Sequence, residues 1–235
     1  MIQLFAGFDQ REAVGYHTFC QSVIENASEP VSITPLSLKT LRPLYRAGQR
    51  DGTNDFIYSR FLIPYLMGYS GFAIFVDGCD MLCKGDIAEL WAMRNPFKAV
   101  QVVKHDYKTK NPVKYIGTPM EAANEDYPKK NWSSVMLINC DHYNWRGITP
   151  ESVESSPGSY LHRFSFVADR FLGELPIEWN WLVDEYGANG DAKLLHWTCG
   201  MPGFTKYKNA PGSEHWHKAH EMVHFAWNGA QVLSG

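Results

Sequence analysis

Two carboxylates close a short apolar run in this sequence: Phe72-Ala73-Ile74-Phe75-Val76 leads directly into Asp77-Gly78-Cys79-Asp80. Acids that close together repel unless a cation lies between them, and a hard divalent ion with oxygen ligands is the simplest one. The competing reading is that both aspartates only shape a turn, since Asp bonds readily to its own backbone. A second chemistry-bearing point is His196, which follows the apolar pair Leu194-Leu195, and imidazole serves manganese well alongside carboxylates. A third is His220-Glu221-Met222-Val223-His224, which fits the zinc peptidase pattern of two histidines on one helical face with a water-activating Glu. That site needs a third protein ligand, and no His, Asp, Glu or Cys follows His224, so we read a polar, His-rich terminal helix there.

The elements that must position these residues have an α/β pattern. The run before Asp77 has no polar alternation, as expected for a strand buried on both faces of a mostly parallel sheet. Ligands of open α/β sheets sit at the carboxyl ends of such strands. Ile2 to Phe8 is a first strand, Asp9 and Glu12 stand at capping-box spacing, and Ala13, Tyr16, Cys20, Val23 and Ala27 mark the buried face of a helix. Val31 to Leu36 is the second strand, and no glycine-rich phosphate loop joins the two. Residues 37 to 54, with Arg42, Arg46, Arg50 and Asp51-Gly52, form a surface loop, and Ile57 to Leu66 a helix broken near Pro64. Asp86 with Glu89 caps another helix. Lys98 to Val103 is a strand that delivers His105 and Asp106 to the same edge as Asp77. Residues 107 to 131 are a long loop over the pocket, and Thr149-Pro150-Glu151 opens a helix.

Bulk properties narrow the class. At 235 residues we expect one domain, and a net charge of −3 gives no basic face for nucleic acid. Five cysteines without metal-ligand spacing fit thiols in a reducing compartment, and no signal peptide or membrane-length segment is visible, so a cytoplasmic location is expected. The eight tryptophans and twelve tyrosines suit both sugar stacking and core filling.

The segment from Phe72 through Asp77, Asp80 and Met81-Leu82-Cys83-Lys84-Gly85-Asp86-Ile87 resembles the Asp-x-Asp region of glycosyltransferase family 8-like enzymes of the GT-A fold. Aligned through its tail, Asp80 takes the second aspartate's place and Gly78 the first's, with Asp77 one position early. Tyr58-Ser59-Arg60 is similar to the family's Tyr-Ala-Arg, and Trp132-Ser133-Ser134-Val135-Met136-Leu137-Ile138-Asn139 to its Asn-Ala-Gly strand. Trp179-Asn180-Trp181 and His196-Trp197-Thr198-Cys199-Gly200 match later segments, although Met201-Pro202-Gly203 lacks the phosphate-binding lysine, for which Lys206 is a substitute candidate.

The resemblance implies a single GT-A-like domain over 1–235, with a mixed, mostly parallel sheet flanked by helices. Residues 1–106 would be the nucleotide and metal half, 107–210 the acceptor half and 211–235 a His-rich terminal segment. It further implies a manganese or magnesium ion on Asp77, Asp80 and His196. Donor contacts would come from Ala6, Gly7, Phe8, Asp9, Arg60 and Gly200, and Asp106 and Asp169 are the candidate catalytic acids. The implied reaction moves a sugar from a nucleotide diphosphate sugar, a UDP-sugar by preference, to an unidentified carbohydrate, lipid or protein acceptor, with retention of anomeric configuration. The alternatives are a non-catalytic sugar- or nucleotide-binding protein and, behind it, the zinc hydrolase.

Overall fold

The computed structural model describes residues 1–46 and 54–223. Eleven strands are described: β1 (Ile2–Gly7), β2 (Val31–Leu36), β3 (Phe72–Val76), β4 (Met81–Cys83), β5 (Val100–Val102), β6 (Val113–Lys114), β7 (Ala122–Ala123), β8 (Val135–Asn139), β9 (Leu172–Glu174), β10 (Trp181–Leu182) and β11 (Leu194–His196). Six of them form the main sheet in the order β2-β1-β3-β8-β5-β9. β1 is parallel to both β2 and β3, and β5 to β9, while β8 runs antiparallel between β3 and β5. The expected mixed, mostly parallel α/β sheet is therefore present.

β3 lies in the middle of this sheet with Ala73 to Val76 fully buried, which explains its unbroken apolar sequence. Tyr16, Phe19 and Val23 of the helix Ala13–Asn26 pack into the same core, while Cys20 is only half-buried. Beyond β3 the chain turns at Asp77–Asp80 and leaves the main sheet. β4 pairs antiparallel with β11, and β11 parallel with β10, in a separate three-stranded sheet. Leu82, Leu195, Trp197, Met201 and the C-terminal helix residue Trp216 form a small second core behind it. The register of that sheet sets His196 opposite Met81, and Trp197 N–H donates to the Asp80 carbonyl at 2.9 Å. Backbone pairing thus carries the distant imidazole to the carboxylate turn.

Several expectations need adjusting. Asp9 caps a 3₁₀ turn over Gln10–Glu12, accepting from Arg11 N–H, and Glu12 does not complete a capping box because its side chain is buried. Asp86 caps its helix through Ala88 N–H, but Glu89 pairs with Lys193. The segment around Pro64 is a 3₁₀ turn, Ser59–Leu62, followed by a short α-helix at Ile63–Leu66, so the change of helix type precedes the proline, which sits in the tolerant first turn. Within 37 to 54 the chain forms a helical turn at Leu38–Leu41, and Arg50 and Asp51-Gly52 lie outside the described residues. β6 and β7 form a hairpin inside the expected 107–131 loop.

Gly15 fixes how closely the first helix approaches the carboxylate turn: a Cβ there would stand 1.9 Å from the Cys79 carbonyl oxygen. A mid-helix Gly→Ala change ordinarily stabilises by about 1 kcal/mol, whereas forcing atoms into a packed backbone contact costs about 1–3 kcal/mol. We expect Gly15→Ala to lower the urea midpoint, because the contact is with backbone and neither side can yield cheaply. An unchanged or higher midpoint would show that the helix stands off the turn.

Candidate active site

Asp77, Asp80 and His196 offer one ligand atom each within 4.8 Å of one another, all three side chains being buried or nearly so. His196 Nε2 lies 3.5 Å from Asp80 Oδ2 and 4.0 Å from Asp77 Oδ2. Two carboxylates at this separation repel by roughly 3 kcal/mol at an effective dielectric near 20. One neutralising charge is built in: Arg60 Nη1 reaches Asp77 Oδ1 at 2.6 Å and donates to the Ser133 carbonyl at 2.8 Å. The guanidinium lies over the Phe75 ring, 4.8 Å from its centroid. With Arg60 counted, the cluster still carries one net negative charge when His196 is neutral.

The protonation of His196 is set from behind. Asn180 Nδ2 donates to the Asn131 carbonyl at 3.1 Å and to Ser134 Oγ at 2.9 Å. A carbonyl oxygen only accepts, so Asn180 Oδ1 must face the other way, towards His196 Nδ1 at 2.9 Å. Nδ1 therefore carries the proton, and the lone pair of neutral His196 sits on Nε2, facing the two acids. Asp80 Oδ1 is buried and has no hydrogen-bond partner. The Nε2 lone pair of His196 faces Asp80 Oδ2 at 3.5 Å and Asp77 Oδ2 at 4.0 Å, and one imidazole nitrogen with two carboxylate oxygens at this spacing suits a divalent ion. The donor set of two carboxylates and one imidazole fits manganese or magnesium better than a thiolate-rich metal site would.

Without an ion, protons do the cation's work. Burial, with Asp80 adding repulsion and Arg60 opposing it, pushes Asp77 up to about 6. Burial works against charge on His196, but Asp80 and then Asp77 outweigh it and raise its pKa. Glu12 is fully buried with both carboxyl oxygens unpartnered, and burial, then Asp80 and Asp9, push its pKa well up.

Other expected residues are spread around this centre. Ala6 and Gly7 end β1 directly beneath the turn: a Cβ on Gly78, whose φ is +76°, would meet Ala6 Cβ and the Gly7 carbonyl at 3.1 Å. Phe8 packs edge-on against Tyr16. Asp9 is saturated, accepting from Arg11 N–H and Nε, each at 2.9 Å, and from Asp55 N–H at 3.1 Å, with Arg11 Nη2 at 2.5 Å. Gly200 has φ +150°, and a Cβ there would run into the Tyr207 ring. Of the expected site residues Arg60, Asp77, Asp80 and His196 line the cleft, whereas Ala6, Gly7, Phe8, Asp9 and Gly200 line neither it nor the cavity beside it, and Asp106 and Asp169 lie at the surface. Asp106 is exposed, because the chain after β5 turns His105 inward, where Nδ1 meets the Tyr186 hydroxyl at 3.0 Å and burial lowers its pKa to about 3. Asp169 is 95% exposed in a 3₁₀ turn, near Lys129 Nζ at 3.7 Å. Lys206 is also exposed. None of these three lines the cleft or the larger cavity of about 570 Å³ beside it. His220 stacks on Trp216 at 4.7 Å, and His224 lies outside the described residues.

Sequence reasoning gave no role to the serine pair, yet it braces both halves of the cluster. Ser133 holds Arg60, which holds Asp77; Ser134 holds Asn180, which holds His196. The Ser134 carbonyl also accepts from Asp77 N–H at 3.0 Å. The only signal available beforehand was that a buried metal-type histidine needs an acceptor on its second nitrogen.

Comparison with known proteins decides the family. The profile described as "Glycosyl transferase family 8" matches residues 24–229. The chain belongs to that family. This transferase is 38% identical over 223 residues to "Protein CDI" of Arabidopsis thaliana, covering 91% of this chain and 84% of the relative. The galactosyltransferase LgtC, solved with donor and acceptor sugar analogues, shares the fold at TM-score 0.57 and 12% identity, with 97% of this chain and 98% of LgtC covered. GlyE of Streptococcus pneumoniae TIGR4 aligns at TM-score 0.61 and 13% identity over 94% of this chain. The transferase spans 61% of the GlyE chain and 49% of the bifunctional glycosyltransferase WbbM, which it matches at TM-score 0.58 and 14% identity over 93% of its own length. The expected GT-A-like architecture thus stands, and no described helix is long and apolar enough to cross a membrane.

An ion bound at these three residues would displace protons from Asp77 and His196, so its affinity would rise with pH. In titrations of the isolated protein with manganese, we expect affinity to climb at least tenfold from pH 5.5 to pH 7.5, with proton release visible as a buffer-dependent enthalpy. A pH-independent affinity would contradict the ligand assignment.

Proposed function

We propose that this family 8 transferase is a metal-dependent hexosyltransferase that takes its sugar from a UDP-sugar and retains the anomeric configuration. One observation carries the reading: the lone-pair nitrogen of His196 and one oxygen from each of Asp77 and Asp80 lie within 4.8 Å of one another in a buried, net-negative cluster. Manganese or magnesium held there by Asp77, Asp80 and His196 would supply the positive charge that a diphosphate leaving group needs as its bond to the sugar breaks.

The protein's own groups set up that step. Arg60 pins Asp77 and offsets half of the paired acid charge, so that the cluster keeps its shape before donor binds. Its engagement with Asp77 supports a positioning role, with the donor sugar reached only through the cleft wall it helps form. Asn180 keeps the Nε2 lone pair of His196 aimed at the acids. Ala6 and Gly7 at the end of β1, with Phe8 and Asp9 just beyond it, support the carboxylate turn from beneath, which favours a role for this segment near the donor's base and ribose, and Gly200 lets the chain pass beneath Tyr207. We assign no chemical step to Asp106 or Asp169, whose exposure supports neither as nucleophile. With no other acid placed for covalent catalysis among the described cleft residues besides the metal pair, attack by the acceptor on the face the leaving phosphate vacates is the consistent route.

We place the donor in the Asp77–Asp80 cleft and the acceptor in the adjoining 570 Å³ cavity, where Tyr58 and Tyr127 offer aromatic faces to a sugar. The donor cleft then draws on both sides of position 106, since Asp77 and Asp80 precede it and His196 follows it. The acceptor is an unidentified carbohydrate, lipid or protein group. Five free thiols support a reducing, cytoplasmic setting.

Calorimetric titration of UDP tests the reading. Binding should be at least tenfold tighter with manganese than with EDTA, and Asp80→Asn should abolish that difference together with metal-dependent turnover in a panel of UDP-sugars. Equal binding with and without metal would refute the proposal.

A further inference from the structure

Lys114 is unexplained by the site described so far. It sits at the end of β6, paired with Ala122 of β7, and lines both the carboxylate cleft and the adjoining cavity. Its ammonium is partly buried and within electrostatic reach of Asp80 and Asp77. Among the described residues it forms no ion pair within 4.0 Å and no hydrogen bond, and its one close contact is the face of Tyr115, 5.6 Å from the ring centroid. Lysines around it are already engaged: Lys130 donates to Asn124 Oδ1 at 2.7 Å, and Lys129 donates to the Arg163 carbonyl at 3.0 Å. A half-buried ammonium with no anion is costly unless a ligand brings one.

The surroundings hold Lys114 in place. Tyr115 has φ +57°, its N–H donates to the Cys199 carbonyl at 2.6 Å, and its hydroxyl reaches towards Asp80 Oδ2 at 3.5 Å. The hairpin is therefore tied to the segment following His196, and Lys114 projects beside the acids on a supported backbone. Charge indicates what it awaits. Two carboxylates, one guanidinium and a divalent ion sum to one positive charge, and the Lys114 ammonium makes two. A group carrying two or three negative charges beside the ion restores balance, and a single carboxylate does not.

We propose that Lys114 is the cation that binds the terminal phosphate of the donor's diphosphate in the cleft it lines with Asp77 and Asp80. The inference rests on the reading of the site as a nucleotide diphosphate sugar cleft. It assigns the phosphate contact to the β6–β7 hairpin and leaves Lys206 at the surface without that role. The β6–β7 hairpin would thus link donor and acceptor cavities through one side chain.

The test compares wild type, Lys114→Met and Lys114→Arg by calorimetry with three probes: manganese alone, UDP with manganese, and uridine. A charge-assisted phosphate contact is worth about ten- to a hundredfold in affinity. We expect Lys114→Met to lose at least tenfold in UDP binding with manganese, Lys114→Arg to recover most of it, and uridine binding to stay unchanged. Manganese alone should bind Lys114→Met as tightly as wild type or more tightly, since a repelling charge has gone; a merely structural lysine would weaken all three probes together. If wild type binds UDP with manganese and Lys114→Met binds it equally well, this assignment fails while the donor reading survives. If wild type shows no metal-dependent UDP binding, both fail.

Discussion

Two acids at the end of one buried strand must be kept ionised and close, and most of the surrounding structure serves that constraint. Asp77 and Asp80 leave β3 where the main sheet ends, and neither has water to screen it fully. Arg60 neutralises one side, and the imidazole of His196 faces the other with a lone pair in place of a proton. In the absence of metal the cluster relaxes by taking up protons, which is why Asp77 is raised to about 6 and His196 is raised as well. The same repulsion that raises these values is what a divalent ion shared by the three residues would relieve.

The cluster is assembled by two sheets that meet only at this turn. The main sheet supplies the acids, and the small β10-β11-β4 sheet supplies His196 through backbone register. Across the junction lies the Ser133–Ser134 turn ahead of β8, which reaches Arg60 with one residue and Asn180 with the other. Of these contacts only the Ser134 hydroxyl that accepts from Asn180 depends on the side chain, since Arg60 bonds to the Ser133 carbonyl. Shifting that turn would move an acid-side and an imidazole-side support together.

Much of this was legible beforehand because it rests on local signals. The apolar run 72–76 ends where β3 ends, and a histidine following two leucines does stand at the end of a strand. Capping geometry was half-legible: Asp9, Asp86 and Thr149 do cap, but only Thr149 has a reciprocal partner, Ser152, and it stands where the sequence rule would ask for Glu or Gln. What could not be read were contacts fixed by tertiary packing. Asp106 and Asp169 occur at plausible chain positions, but Asp106 comes four residues after β5, where the turn gives His105 the inward place, and Asp169 opens an exposed 3₁₀ turn ahead of β9. Asn180 and Ser134 lie in segments that resemble the family's, but their roles come from neighbours far along the chain, and Lys114 carries no motif at all.

The central claim, that Asp77, Asp80 and His196 share one cation, is tested most directly by anomalous diffraction from crystals soaked in manganese. The account predicts one strong anomalous peak within about 2.6 Å of an oxygen from each acid and of His196 Nε2. A peak ligated elsewhere, or a cleft that stays without manganese at concentrations that support transfer, would contradict it.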